Sequence, residues 1–123
     1  IYKGIQANAK VIVCAPCCHK QIRRQMKPSN ALANITQHGI LLERQAEIVT
    51  DSIRAMILEM HGYKTKVFEF ISTEHTPKNV LISGTKSHTA NKQPELIQEK
   101  INELKALFNI DEHYLESLVK KLK

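Results

Sequence analysis

Two cysteines, a histidine and a lysine follow one another without a gap at Cys17-Cys18-His19-Lys20, directly after Pro16. Thiols and an imidazole at this spacing serve three kinds of chemistry. They can line a substrate pocket, with the histidine orienting or deprotonating a nucleophile. They can bind a metal together with Cys14. They can also be small residues packed in a core, as cysteines outside disulfides often are. Metal ligation is the weakest of the three. Neighbouring side chains of an extended segment point to opposite faces, and the chain carries no second ligand cluster at zinc-site spacing. No metal is expected.

The element that must position these groups is the run Val11-Ile12-Val13-Cys14. An apolar β-branched run stopped by a proline reads as a buried parallel strand with both faces covered. In open α/β sheets, side chains just beyond the carboxyl end of a strand are the ones placed for chemistry. Residues 1–9 read as the tail of a helix or a loop entering that strand. Residues 20–38 read as polar and irregular, broken at Lys27-Pro28-Ser29-Asn30, with a short helix ending near Gln37.

From Ile40 the period changes. Leu42, Ala46, Val49, Ile53, Met56, Ile57 and Met60 recur at three- and four-residue spacing, one apolar stripe on a long helix that Gly62 caps. Glu43, Arg44, Glu47, Asp51, Arg54 and Glu59 occupy much of its remaining surface. Residues 64–71 suit a strand, and 79–83 a second short one closed by Gly84. Their connection is too short for a crossover helix, which makes them antiparallel. Residues 85–93 read as a polar linker. Pro94 sits at a helix start, followed by Leu96, Ile97, Ile101, Leu104 and Leu107. Asp111 reads as the N-cap of a last helix bearing Leu115, Leu118, Val119 and Leu122.

The expected fold is therefore α/β: a three-stranded mixed sheet, first and second strands parallel and the third antiparallel between them, a long crossover helix, and a C-terminal helical pair. Residues 1–88 form the main unit and 89–123 a helical extension. The first strand would be an edge whose Val11, Ile12 and Val13 lack a partner, a pairing hazard that native domains avoid. That edge implies sequence missing from the amino-terminal side, as does an opening on Ile1 rather than Met. The same edge, or the terminal helices, should drive self-association.

Composition narrows the class. At 123 residues and 42% apolar content the chain is one domain or less and is not disordered. No run approaches a membrane span and no secretory signal precedes the first strand. Three crowded cysteines do not make a disulfide framework, which points to the cytoplasm. Net charge is +6, from 18 basic and 12 acidic residues, and favours anionic partners such as RNA. Aromatic residues are only 5% with no Trp, so no stacking platform for bases stands out. A non-catalytic basic module that docks nucleic acid or an acidic protein is the alternative to an enzyme.

Ala15-Pro16-Cys17-Cys18-His19-Lys20, the segment from Gly39 to Ala46 and the segment from Glu74 to Asn79 resemble a bacterial branch of the class I S-adenosylmethionine-dependent methyltransferases. The strand order resembles the carboxyl-terminal half of that Rossmann-like fold, over roughly residues 1–88. The resemblance implies an enzyme as the intact protein, S-adenosylmethionine as cofactor, and RNA as a candidate acceptor, from related branches that carry a Cys-Cys-His segment. It implies His19 and Asn79 as catalytic residues. It further implies Pro16, Cys17, Cys18, Lys20, Glu43, Arg44, Glu74, His75, Thr76 and Lys78 as the acceptor-side rim, Arg44 suiting a phosphate or carboxylate.

In that family the missing amino-terminal half holds the cofactor in a glycine-rich loop. Here the four glycines stand at 4, 39, 62 and 84, with no Gly-x-Gly spacing, so the chain alone should neither bind the cofactor well nor turn over. His38, His61, His88 and His113 read as surface or capping residues.

Overall fold

In the computed structural model, residues 1–70, 79–89 and 93–122 are described. The order is α1 (Tyr2–Gln6), β1 (Val11–Cys14), α2 (Lys20–Gln25), α3 (Ala33–Thr36), α4 (Gly39–Met60), β2 (Tyr63–Glu69), β3 (Val80–Lys86), α5 (Pro94–Phe108) and α6 (Tyr114–Val119), with a closing 3₁₀ turn over Lys120–Leu122. Among the described residues no helix is long and apolar enough to cross a membrane.

The sheet order is β1-β3-β2, and β3 runs antiparallel to both neighbours. β1 and β2 thus point the same way but share no hydrogen bond, so every ladder is antiparallel and the sheet is not mixed. The reason is the position of β3. It returns from β2 as a hairpin partner and takes the place beside β1 that a parallel neighbour would need.

The 22-residue helix α4 organises the molecule. The spacing from Leu42 to Met60 describes one stripe, but the helix buries two faces. Ala46, Val49, Ile53 and Ile57 pack with Ile22, Met26, Ile97, Ile101, Phe108, Ile110, Leu115 and Val119. Ala55 and Leu58 face the sheet and pack with Ile12, Tyr63 and Ile82. The C-terminal helices therefore share one core with α4 and α2. Gly62 ends α4 at φ +87°, a left-handed conformation in which a side chain would be strained.

Several local readings need correction. Gly84 lies inside β3 rather than closing it, since the strand continues to Lys86. It faces the Tyr63 side chain so closely that a Cβ would come within 3.2 Å of it, and a glycine there lets the two strands approach. Residues 20–38 hold two short helices, the first burying Ile22 against the helical core. The N-cap of α6 is His113, not Asp111, and its ring accepts the amide of Leu115.

β1 is an edge strand with one face open, not a strand covered on both sides. Ile12 is buried, whereas Val11 and Val13 are 58% and 61% exposed. In the same rows of the open face lie Thr85 and Ser83, then Lys64 and Lys66. An apolar edge with unpaired backbone groups templates further pairing. We expect concentration-dependent dimers in sedimentation analysis, suppressed by Val11→Lys with Val13→Lys. A monomer at every concentration would contradict this reading of β1.

Candidate functional site

Pro16 cannot donate to a ladder, so β1 stops at Cys14 and the chain turns through Ala15–Cys18 into α2. His19 occupies the N-cap position of α2 and is buried. The turn is held by α4, which runs beneath it and contributes a polar face at positions 43, 47, 51 and 54. Glu43 Oε1 lies 3.2 Å from His19 Nε2, and Glu47 Oε1 lies 3.9 Å from Nδ1. A carboxylate only accepts, so the 3.2 Å contact is donated by the His19 Nε2–H to Glu43, while the Glu47 carboxylate faces Nδ1. Arg54 Nη2 donates to the Cys18 carbonyl at 2.7 Å, and Nη1 donates to Asp51 at 2.9 Å. Burial raises the Asp51 pKa above its ordinary value, outweighing the hydrogen bond from Arg54.

The same histidine and its two glutamates bring one nitrogen and two carboxylate oxygens within 4.8 Å of one another. That donor set suits a divalent cation, and it is not the cysteine-rich set weighed from the sequence. The three cysteines form no disulfide; Cys14 is half-buried, while Cys17 and Cys18 are exposed.

Beside this turn opens a cavity of about 620 Å³, within the range of small-molecule sites. Tyr2, Pro16, Ile22, Leu115 and Leu118 give it apolar walls, and Thr50, Arg54 and His113 are its polar members on the α4–α6 side. His113 is 3% exposed and Thr50 2%. His113 Nδ1 accepts the Leu115 amide at 3.1 Å, so Nε2 carries the proton. Neither that Nε2 nor Thr50 Oγ1 has a hydrogen-bond partner. The Thr50 backbone faces the ring and slightly favours its charged form without reaching hydrogen-bond geometry. Leaving a buried donor unpaired costs roughly 1–3 kcal/mol. Burial, then the charge of Arg54, lowers the His113 pKa to about 4, so the ring is neutral at pH 7.

The structure thus brings Pro16, Cys17, Cys18, His19 and Glu43 to one rim. Val80, next to Asn79 at the start of β3, shares a small second cavity with Pro16–His19, Glu47, Asp51 and Arg54. Asn79 is half-buried, and its carbonyl accepts the Phe70 amide. Lys20 and Arg44 are exposed and line neither cavity. Glu74, His75, Thr76 and Lys78 lie outside the described residues.

Sequence reasoning missed Glu47, Thr50, Asp51, Arg54 and His113. The first four share a helical face with Glu43; the spacing reads Glu47, Asp51 and Arg54 only as helix surface and does not single out Thr50. His113 reads from the sequence as a surface or capping residue and does cap α6, but nothing local shows that the helix brings it to this cavity.

Neither cavity is lined by a glycine. A Cβ on Gly4 would strike Ile12, and one on Gly84 would meet Tyr63, so these glycines serve internal packing. Compared with family models, curated proteins and solved structures, the chain matches none of them.

Proposed function

We propose that this chain is the carboxyl-terminal flank of a class I S-adenosylmethionine-dependent methyltransferase, supplying the acceptor side of the site, with RNA as the acceptor. The observation that carries the reading is the path of the chain. β1 leads through the crossover helix α4 to β2, and β3 then inserts antiparallel between them. The carboxyl end of β1 delivers Pro16–His19 to a cavity at the sheet rim. The open edge of β1 and the open sheet face are where the amino-terminal half would pack, and that half would bring the cofactor cradle that these glycines do not build. The cytoplasm, whose reducing environment suits three cysteines outside disulfides, is the compartment we assign.

In this reading the chain's own residues bind, orient and move a proton. His19, held by Glu43 through Nε2–H, accepts a proton from the acceptor at Nδ1, the orientation that a histidine base takes from a carboxylate partner. Asn79, at the start of β3, contributes hydrogen bonds at the same rim. In the intact protein, His19→Ala and Asn79→Ala should each lower methyl transfer, His19→Ala by roughly 100-fold, while cofactor binding stays unchanged. Turnover equal to wild type in both variants would remove the assignment.

A second reading rests on Lys64 and Lys66, side by side on the open sheet face of a chain with net charge +6. A basic binding module would bind RNA through the 123-residue chain itself, with affinity falling steeply as salt rises. The first reading gives weak binding by this chain alone, and a titration at two salt concentrations separates them.

A further inference from the structure

We propose that His19, Glu43 and Glu47 form a binding site for one divalent first-row transition-metal ion, with water in the remaining positions. This goes beyond methyl transfer and is tested without it. A metal ion on the ring occupies the lone pair that accepts a proton in that reading, so the metal-bound form is one in which His19 is withdrawn from base chemistry.

The fold brings the donors together from two elements. Glu43 and Glu47 stand one turn apart on α4, and the turn into α2 lays the buried His19 ring against them. One ring nitrogen and two carboxylate oxygens lie within 4.8 Å of one another. Tetrahedral ligands at metal-bond length stand roughly 3.3–3.4 Å apart. Glu43 is already 3.2 Å from Nε2. Glu47, 3.9 Å from Nδ1, is beyond hydrogen-bond range, and its half-buried side chain can turn onto the same ion.

Charge selects a divalent cation. Like charges four residues apart on a helix repel. Among the described residues His19 is the only ion-pair partner of either glutamate. An imidazole supplies at most one positive charge against two negative ones, whereas a divalent ion balances both. Arg54 is engaged elsewhere, with Asp51 at 2.9 Å and the Cys18 carbonyl at 2.7 Å. His19 and Glu47 also line the second cavity, whose volume of about 30 Å³ admits a water ligand. One imidazole with two carboxylates suits a zinc-like ion, while magnesium and calcium favour all-oxygen shells.

The test uses the 123-residue chain and Co²⁺, a spectroscopic stand-in for zinc. Calorimetry counts the ions bound, and absorption identifies any thiolate ligand by its charge-transfer band. We expect one ion per chain, no such band, and binding that persists in excess Mg²⁺. Glu43→Gln and Glu47→Gln should each weaken binding at least about tenfold, the smallest effect usual for residues that merely support a ligand. His19→Ala should do the same. Both glutamates reach solvent and the amide keeps their shape, so they decide the matter if His19→Ala does not fold. No saturable binding, a thiolate band showing that a cysteine holds the ion, displacement by Mg²⁺, or unchanged affinity in either glutamine variant would each overturn the proposal.

Discussion

Acidification from pH 7 to pH 4 should destabilise the fold by about 3 kcal/mol through His113 alone, the product of its pKa displacement and 1.36 kcal/mol per pH unit. In the unfolded chain the ring has its ordinary pKa of 6.5; in the fold it is lowered to about 4, first by burial and then by Arg54. Above pH 6.5 the ring is neutral in both states and contributes no slope. Between 6.5 and 4 the unfolded chain binds a proton that the folded chain refuses, so stability falls as pH falls. Below about 4 both states are charged and this loss levels off.

Other groups that face the ring act on it as well. Lys105 opposes its charge, while Glu116 and the Thr50 backbone favour it. Denaturant titrations at a series of pH values measure the slope. His113→Asn keeps an N-cap acceptor for α6 and removes the titrating ring, so its stability should lose the steep section between pH 6.5 and 4. An unchanged slope in that variant would show that the ring is not held neutral.

Removing the partner of a buried carboxylate should cost as much. Glu116 on α6 is nearly inaccessible, and Lys105 on α5 donates to it at 2.9 Å while Gln98 donates to its other oxygen at 3.1 Å. Burial pushes the Glu116 pKa up, but the hydrogen bonds from Lys105 and Gln98 outweigh it and the carboxyl sits below its ordinary value. Lys105→Met leaves that charge half-satisfied and should lower stability by about 3 kcal/mol at pH 7. Because the folded pKa is lowered, the stability Glu116 contributes is present above pH 4.5 and is lost as pH falls further. The double variant Lys105→Met with Glu116→Leu should recover most of the loss, since apolar replacement of a buried pair is close to neutral. Equal stability of the single and double variants in urea titrations would contradict a coupled pair.

How far the sequence could be read depends on the range of the forces involved. α4, its glycine end and the proline start of α5 are written in local periodicity and local backbone preference, so they were legible. So was the position of β3 between β1 and β2, because a short connection and a crossover helix leave few paths. The mixed sheet is not found, because β3 separates β1 and β2 and both of its pairings are antiparallel. Gly84 looked like a stop because glycine often ends strands; only the Tyr63 ring across the sheet explains it inside one. The site divides the same way. Pro16–His19 stand out locally, and Glu43 sits at a helix start. His113 caps α6 locally through the Leu115 amide, but it joins them only through packing of α6 on α4, and its burial and its displaced pKa come from tertiary contacts.

The open edge of β1 and the exposed Val11 and Val13 bear most directly on the proposed function. The measurement that tests it is the sequence of the reading frame upstream of the codon for Ile1. The account predicts an in-frame stretch with a strand followed by a glycine-rich loop, able to lay further strands beside β1. A frame that begins at this codon, or upstream residues with no such strand and loop, would contradict it.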